Sequence, residues 1–534
     1  MTLELPVARR TVNPLLILLT ASTGCAMTVL DTNVVAIVLP TITRDLSASF
    51  AEVEWVVSTY VLCFASMLLP AGAIADRFGR RKVFLIGIGA FAVASLLCGV
   101  APSAMALYLA RAVQGVGAAF LLAPALAIIG HTFHHEAERN RAWAIWGGTM
   151  GLTMVLAPII GGAIAYMLGW RWAFYVNLPI CILLAVAVAL FMDESRDTDA
   201  GQLDPAGILL FSASMFGLTW GLINGQANGW NSVGTVSGFI AGALALTAFI
   251  VVESIQHRPM LDLKLFRVRR FVCAVWAMFA YASCAQVMAS LLPLFLQNGL
   301  GRSPLAAGFA MLPFALTMLI FPYVGRRYGR HLSSSQMLPL GLSVVGLGNV
   351  LVSLGAHFEA WSIVILGMLV LGSGGGLLNG ETQKAIMSVV PRERAGMASG
   401  ISTTSRFAGI LLGFAVLSGI LATVTRSLLT NTSCSGVQPC GYSQAFADAV
   451  VAGDLPQAVT GATSMVRDLA ITQAKLAYSS AFAAALLAAA VMAVISALVL
   501  YLLMRKNWVA RTELLRNSIR VGSGDEKDDW IDNA

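Results

Sequence analysis

Residues 72–82 read GAIADRFGRRK and form a short, highly charged connection between two long apolar segments. Glycine permits a tight reversal because it carries no side chain. Asp76 can accept hydrogen bonds from a helix N-terminus or from an arginine, and such a contact can form in one conformation and break in another. We therefore predict a conformational latch made of five residues: Gly72, Asp76, Arg77, Gly79 and Arg80.

The rest of the chain repeats the apolar segments that flank this loop. Hydrophobic residues fill 57% of the 534 positions and charged residues 11%, whereas about a quarter of a soluble domain is charged. A helix needs about 20 apolar residues to cross a bilayer. The segments of this kind are 15–38, 54–75, 82–100, 104–129, 142–165, 172–192, 206–223, 235–253, 271–297, 305–324, 335–355, 361–384, 395–423 and 478–504. We predict an all-α polytopic membrane protein with fourteen transmembrane spans, since the strict alternation of a β-barrel is missing.

The distribution of Lys and Arg predicts the orientation of these spans. With the N-terminus in the cytoplasm, the inner loops and tails hold most of the 34 basic residues. The outer segments hold Arg44, Arg171, Arg302, Arg426, Arg467 and Lys475. We expect a multi-pass protein of the bacterial inner membrane with both termini in the cytoplasm. The net charge of +7 then faces the cytoplasm, so membrane lipids are expected partners and nucleic acid is not.

A second, degenerate copy of the loop predicts an internal repeat. GRRYGR at 325–330 lacks the acidic residue, so a latch there would need another partner such as Glu393. The first loop follows span 2 and the copy follows span 10, although two six-helix repeats would place the copy after span 8. Two spans are therefore inserted. The predicted units are a six-helix bundle at 1–192, two inserted helices with flanking segments at 193–270, a second six-helix bundle at 271–504 with an outer loop at 424–477, and a tail at 505–534.

The 72–82 loop resembles the signature of the major facilitator superfamily. Three further stretches are similar to motifs of its fourteen-span drug:proton antiporter branch: LDTNVVAIVLP at 30–40, RAVQGVGAA at 111–119 and WRWAFYVNLP at 170–179. The resemblance implies a major facilitator fold of two pseudo-symmetric six-helix bundles plus the two inserted helices. It also implies alternating access, with substrate held between the bundles near the midplane of the membrane.

The antiporter motif of span 5 departs from the usual pattern of that branch. Ala157-Pro158 stands where Gly-Pro is usual, and Thr153 replaces a glycine four positions before that pair. Pro158, Gly161 and Gly162 remain, and we predict that they form a bend in the fifth helix that takes part in the conformational switch.

Asp31 is the most unusual residue of the first span, because the segment around it carries no other charge. A charged residue at the centre of a membrane helix costs about 2.5–3.5 kcal/mol on insertion scales. Asp31 and Arg111 each lie some seven residues from the outer end of their spans, roughly 10 Å deep. The two charges can pair. We predict that they couple transport to protons, the alternative being a purely structural ion pair, and we expect no second carboxylate at comparable depth.

Other polar or aromatic residues within the spans are candidates for the walls of a substrate cavity. Glu381 can be either an interfacial charge near Lys384 or a cavity residue, and Arg406 has no evident partner. The candidate cavity residues are Asn33, Gln114, Trp143, Trp146, Gln286, Gln297, Glu381 and Arg406.

Several other kinds of site are not expected. His131, His134 and His135 cluster without the further ligands of a recognised metal site, so we predict no metal. The chain has no P-loop, so we expect that ATP does not drive the cycle. The resemblance implies that the proton gradient drives it, and no cofactor is expected. No catalytic constellation is present, so an enzyme is not expected. Cys434 and Cys440 share the long outer loop, where we predict a disulfide.

These patterns predict a monomeric, proton-coupled exporter of amphipathic, cationic or neutral drugs and toxic compounds. Two alternatives remain open at this stage. The natural cargo can be a specific endogenous metabolite or a lipid, with drug resistance incidental. The scaffold can also serve a sensor that binds ligands without moving them, although a sensor has less need of the intact loop at 72–82.

Overall fold

The computed structural model describes residues 13–133, 136–196, 204–256, 263–328, 332–387, 389, 395–430, 442–453 and 464–521. Within these ranges the secondary structure is helical, and 14 helices are long and apolar enough to cross a membrane. The predicted all-α class and the number of spans are confirmed. We number the helices α1 Pro14–Leu46, α2 Phe50–Phe78, α3 Arg80–Gly99, α4 Ala104–Thr132, α5 Glu136–Met167, α6 Trp172–Phe191, α7 Pro205–Asn228, α8 Val233–Ile255, α9 Arg269–Gly299, α10 Pro304–Gly325, α11 Ser334–His357, α12 Trp361–Met387, α13 Ala395–Thr430 and α14 Ser464–Val521.

Short polar loops start these helices with side-chain caps. Ser49 and Glu52 form a reciprocal capping box at the start of α2, where the Glu52 carboxylate accepts from the Ser49 N–H across 2.9 Å. The hydroxyl of Ser103 caps α4 and that of Ser303 caps α10. A short helix, Gln444–Ala452, lies between α13 and α14. The helix ends therefore follow from local sequence, and the apolar faces decide how the helices pack.

Helix pairings in α1–α6 recur eight helices later in α9–α14. In the first half α1 packs on α5, α2 on α4, and α3 on both α4 and α6. In the second half α9 packs on α13, α10 on α12, and α11 on both α12 and α14. An offset of eight rather than six is the pattern expected when two helices are inserted between two six-helix repeats.

Helices α7 and α8 form an antiparallel pair at the edge of the bundle. Their glycines interlock, since a Cβ at Gly217 would lie 2.7 Å from the Gly242 Cα. Helix α7 packs against both α2 and α13, and its Trp220 and Phe216 contact Trp55. The inserted pair therefore touches both halves, with α7 as the inner helix of the two.

We call the two ends of the bundle the Glu54 end, where α1 meets α2, and the Asp76 end, where α2 meets α3. The halves are packed together at the Glu54 end. Gln297 of α9 donates from Nε2 to the carbonyl of Ile37 in α1 across 2.8 Å, and Ser418 of α13 bonds the carboxyl group of Glu54 in α2. Both hydrogen bonds cross from one half to the other.

Candidate functional site

Asp31 lies at the centre of a polar network inside the first half. Arg111 Nη1 donates to its Oδ2 across 2.5 Å, and the amides of Gln114 and Asn177 donate to its Oδ1 across 2.9 and 3.0 Å. The same two amides also reach Ser95 Oγ. Asp31 and Arg111 are each 1% exposed. The network thus ties together α1, α3, α4 and α6.

The RAVQGVG segment of α4 supplies two of the side chains that bond Asp31. Arg111 and Gln114 stand three residues apart and share one helix face, where Arg111 Nη1 also donates to Gln114 Oε1 across 2.7 Å. The glycines serve packing: a Cβ at Gly115 would lie 2.3 Å from an α2 backbone atom, and one at Gly117 would lie 2.7 Å from an α3 backbone atom. Small residues bring the neighbouring helices close enough to enclose the charges.

The hydrogen atoms in this network can be counted. All three side chains that touch the Asp31 carboxyl group are donors: one guanidinium and two amides. Every contact is therefore satisfied by an unprotonated carboxylate. These contacts suit a carboxylate that accepts from Arg111 and from both amides.

A row of aromatic rings links this network to the second half. The Arg111 guanidinium carbon lies 4.0 Å from the centre of the Tyr60 ring, a cation–π geometry. Tyr60 stacks on Phe64 at 5.9 Å, and Phe64 meets the ring of Phe407 in α13 edge-on at 4.3 Å. A change in the Asp31–Arg111 pair can therefore be transmitted to α13 through direct contacts.

The latch residues connect α2 to α3 at the Asp76 end. Arg80 Nη2 lies 2.7 Å from Asp76 Oδ1, and Gly79 adopts a φ of +114°, a conformation that favours glycine. Arg77 is exposed and lies over the Phe78 ring. A Cβ at Gly72 would meet its nearest neighbour at 3.9 Å, so in this conformation packing does not require glycine there.

Sequence analysis missed one residue at this loop, Glu194. Its carboxylate accepts from the backbone N–H groups of Arg81 and Lys82 across 3.0 and 3.2 Å. It therefore caps the N-terminus of α3, which has no cap of its own. Glu194 lies 113 residues from Arg81 in the chain, and a cap supplied from such a distance leaves no local pattern.

Removing this distant cap should loosen the latch loop. We expect Glu194→Ala to lower the free energy of unfolding by about 0.5–2 kcal/mol, the usual value of a helix N-cap. Thermal unfolding of the purified protein in detergent measures this change. Asp193→Ala is the matched control, because Asp193 is exposed on the adjacent position. Equal effects of the two substitutions would contradict the capping role.

The residues that we predict to bend α5 lie between the two halves. A Cβ at Gly161 would lie 3.1 Å from the Val34 Cα in α1, and one at Gly162 would lie 2.7 Å from the Pro304 carbonyl oxygen in α10. From the other side, a Cβ at Gly308 would lie 2.3 Å from the carbonyl oxygen of Pro158. Glycines thus bring α1, α5 and α10 into backbone contact near the Glu54 end.

Two of the candidate cavity residues lie in π-helical turns of α9. Gln286 ends the turn Ala282–Gln286, and Gln297 lies in the turn Phe295–Gly299. Turns of this kind are rare in proteins, and those that occur are often found at functional sites. Gln297 bonds the first half, as described above, and the side-chain oxygen of Gln286 is buried without a hydrogen-bond partner. The irregular turns therefore direct two polar side chains into the interior.

The remaining described candidates do not form one site. Asn33 donates to the Val29 carbonyl of its own helix, and Trp146 packs within the core of the first half. Glu381 accepts from Ser334 and Lys384. Arg406 is half-buried in α13, and its Nε has no hydrogen-bond partner. Gln114 belongs to the Asp31 network.

Several predicted features lie outside the described residues. These are the side chain of Trp143, the predicted Cys434–Cys440 disulfide, His134, His135 and the alternative latch residue Glu393. Among the residues that the structure describes, no group of three or more His, Cys, Asp or Glu side chains could hold a metal ion.

Comparison with known proteins identifies the family. Residues 21–414 match the Major Facilitator Superfamily. The chain belongs to this family. It is therefore a membrane transport protein and not an enzyme.

Its relatives within the superfamily include proteins of drug resistance. The chain is 33% identical over 409 residues to the multidrug resistance protein Stp of Mycobacterium tuberculosis, with 76% of each chain covered. It is 33% identical over 411 residues to the tetracenomycin C resistance and export protein of Streptomyces glaucescens, covering 76% of this chain and 75% of that one. It is 30% identical to the multidrug efflux pump LfrA of Mycolicibacterium smegmatis, with 74% and 79% covered. These relatives place the chain in the drug-efflux branch of the superfamily.

Two transporters of known structure share the fold. A bacterial homologue of the human lysosomal transporter Spinster, in an inward-facing and occupied conformation, superposes with a TM-score of 0.63 at 18% identity, covering 92% of this chain and 96% of that one. A peptide transporter POT in complex with sulfate superposes with a TM-score of 0.60 at 15% identity, covering 91% and 95%. The major facilitator fold expected from the sequence is thereby confirmed.

Among the described residues, two carboxylates besides Asp31 are almost fully buried, but near the ends of their helices, so the expectation about depth stays a prediction. Glu54 of α2 is 1% exposed, and Glu253 of α8 is 2% exposed. Glu54 stands at the first position of the predicted second span, where an acidic residue is typical of a solvated helix end. In this transporter, however, α2 begins at Phe50 and α13 of the second half covers the position.

Proposed function

We propose that this transporter exports amphipathic drugs across the bacterial inner membrane in exchange for protons, by alternating access between its two halves. The observation that carries the proposal is the Asp31–Arg111 network: a carboxylate enclosed within the membrane and paired with one arginine. Such intramembrane ionisable residues are typical of proton pathways. The similarity to drug-resistance and export proteins supports drugs as the cargo.

The packing of the halves suggests which stage of the cycle this conformation represents. The distribution of basic residues predicts that both termini are in the cytoplasm and that the Glu54 end faces outside. Since the halves are joined at the Glu54 end, the conformation is the one closed to the outside. An unprotonated Asp31 suits this stage, because an antiporter releases its proton inward before it binds cargo.

The outward-open stage reverses these steps. As the halves part at the Glu54 end, α1 and α2 move relative to α13, and the aromatic row from Tyr60 to Phe407 breaks or slides. Asp31 then accepts a proton from the outside, its bond to Arg111 weakens, and the cargo leaves. The Asp76–Arg80 pair and the glycine contacts of α5 govern this motion.

The charged side chains inside the protein bear on whether the transported compound is cationic or neutral. Asp31 is already neutralised by Arg111. Arg406 in α13 makes no ion pair with a carboxylate among the described residues, and the Tyr281 hydroxyl of α9 lies within its electrostatic reach. A net positive charge disfavours cations. Of the two classes expected from the sequence, we therefore propose neutral amphipathic compounds rather than lipophilic cations.

The direct test is flux in proteoliposomes with an acidic lumen. We expect a neutral amphipathic drug to accumulate inside while the lumenal pH rises in step, because each drug molecule that enters is exchanged for a proton that leaves. A protonophore should abolish both signals, and lipophilic cations of similar size should give weaker accumulation. Binding without flux would support a sensor, and flux that ignores the pH gradient would refute proton exchange.

A further inference from the structure

Glu54 is a carboxyl group buried between the two halves. It lies in the second turn of α2, and its Oε1 contacts the hydroxyl of Ser418 in α13. Its other oxygen, Oε2, is buried with no hydrogen-bond partner. The Glu54–Ser418 bond exists only while the halves are closed at this end, because the two residues belong to different halves.

The number of hydrogen atoms in this contact decides its chemistry. Ser418 Oγ lies within bonding distance of three acceptors: Glu54 Oε1, the Phe414 carbonyl at 2.6 Å and the Ala415 carbonyl at 3.3 Å. A hydroxyl carries one hydrogen. When Ser418 donates it to the Phe414 carbonyl, the usual partner of a helical serine, the hydrogen of the Ser418–Glu54 bond has to come from Glu54.

The opposite assignment leaves a charge without partners. If Ser418 donated to Glu54, the carboxylate could be unprotonated, but Oε2 would then share a buried negative charge with no donor near it. Burying an ionised carboxylate costs far more free energy than burying a neutral acid. The geometry therefore favours a protonated Glu54 in the closed conformation, in contrast to Asp31, whose neighbours are all donors.

The charged groups of the second half near Glu54 are already paired. Arg426, two turns beyond Ser418 in α13, acts electrostatically on Glu54, but its Nε donates to Asp448 of the short helix Gln444–Ala452 across 2.6 Å. Asp448 offsets the charge of Arg426. A cation strong enough to hold Glu54 ionised is thus absent from the described part of this face.

Among the described residues of the first half and the inserted helices, no cation bonds Glu54. From α4, Arg111 is bound to Asp31, and Tyr108 approaches α2 through its carbonyl, which accepts from Thr59. From α7, the side chains against α2 are the apolar rings that contact Trp55. Within α2 itself, Glu52 is engaged in the capping box. At the end of α1, Asp45 binds Arg171, and the exposed Arg44 donates to the carbonyl of Pro40 in its own helix.

We propose that Glu54 is a second proton-binding site, separate from Asp31, and that its protonation from the outer side closes the transporter at the Glu54 end. When the halves part, Glu54 meets outer water and loses its proton there. When they close, it takes the proton back and bonds Ser418. The site returns its proton to the same side, so it adds nothing to the exchange ratio. Its orientation toward the outside rests on the proposed function.

This assignment predicts how closure depends on pH. The closed conformation binds one more proton at Glu54 than the open one. The ratio of closed to open molecules therefore rises as pH falls, by up to about tenfold for each pH unit over which the open form is ionised. Asp31 is proposed to take up its proton in the open conformation, so its protonation acts in the opposite direction. The shift is therefore measured on the purified double variant Asp31→Asn with Arg111→Gln, without cargo or a membrane gradient, and this double variant is the parent protein for the variants below.

The test measures the distance between spin labels on the two halves at the Glu54 end. The label sites are Pro102, in the loop between α3 and α4, and His357, the last residue of α11. Both are exposed, and each is changed to Cys after the eight native cysteines have been replaced. We expect the closed distance to lose population as pH rises. Glu54→Gln, which mimics the protonated acid, should stay closed at every pH.

Two further variants test the partner of Glu54 and control for the loss of a carboxylate elsewhere on α2. Ser418→Ala should populate the open distance more than the parent protein at each pH, because the neutral acid loses its partner. Glu52→Gln, on the same helix, should follow the parent curve. If Glu54→Gln shows the same pH dependence as the parent, Glu54 is not the proton site. The distance measurement involves no transport, so this result would not contradict proton exchange at Asp31. Conversely, a failure of exchange in proteoliposomes would not contradict the distance result.

Discussion

Replacing Asp31 by Asn abolishes uphill drug transport if Asp31 carries the coupled proton. A gradient of one pH unit is worth about 1.4 kcal/mol per proton and sustains about a tenfold drug gradient for one-for-one exchange. With Asn, which binds no proton in this range, the drug should only equilibrate, so the accumulation ratio should fall to one. Drug accumulation in acid-lumen proteoliposomes measures the ratio.

The Asp31→Asn variant alone leaves Arg111 buried without its countercharge. Breaking a buried ion pair in this way costs about 3–5 kcal/mol, so a loss of transport could reflect a loss of folded protein. The double variant Asp31→Asn with Arg111→Gln removes both charges and should restore the amount of folded protein. We expect it to equilibrate drug without accumulating it. Accumulation at the parental rate by the double variant would show that another group carries the proton.

Most of the architecture could be predicted from the sequence because bilayer length and charge asymmetry act on each span separately. Apolar runs of sufficient length gave the fourteen helices. The offset between GAIADRFGRRK and GRRYGR predicted two inserted helices, and the helix pairings recur with the same offset of eight. The pairing of Asp31 with Arg111 followed from their matched depth, because two buried opposite charges stabilise each other.

Contacts between distant parts of the chain were less accessible to sequence reasoning. Asn177 and Ser95 complete the Asp31 network, but a neutral polar residue in a span leaves no periodic or charge pattern. Glu54 was not singled out, since the sequence does not show that Ser418 of the other half covers it. Depth within a span can be estimated from residue counts, whereas burial between halves depends on tertiary packing.

Glycines at the interface between the halves allow α5 and α10 to pack in close contact. We expect Gly308→Ala to shift the transporter away from closure at the Glu54 end, since the added Cβ would lie 2.3 Å from the Pro158 carbonyl oxygen and 3.0 Å from its carbonyl carbon. Backbone atoms of a packed helix cannot move aside, so α5 and α10 must separate. Overpacking of this kind costs about 1–3 kcal/mol. The open population in the spin-label measurement should therefore rise by about tenfold, with a comparable loss of transport rate.

Matched glycine variants separate this contact from the general effects of alanine. Gly89→Ala in α3 is the control, because no atom lies within 4 Å of the added Cβ, and alanine favours a helix by about 1 kcal/mol over glycine. It should leave the distances unchanged and keep or raise stability. Gly162→Ala, whose Cβ would lie 2.7 Å from the Pro304 carbonyl oxygen, approaches the same interface from α5 and should open it as Gly308→Ala does. Should Gly308→Ala and Gly162→Ala both behave like Gly89→Ala, close contact between α5 and α10 would not be what closes the transporter.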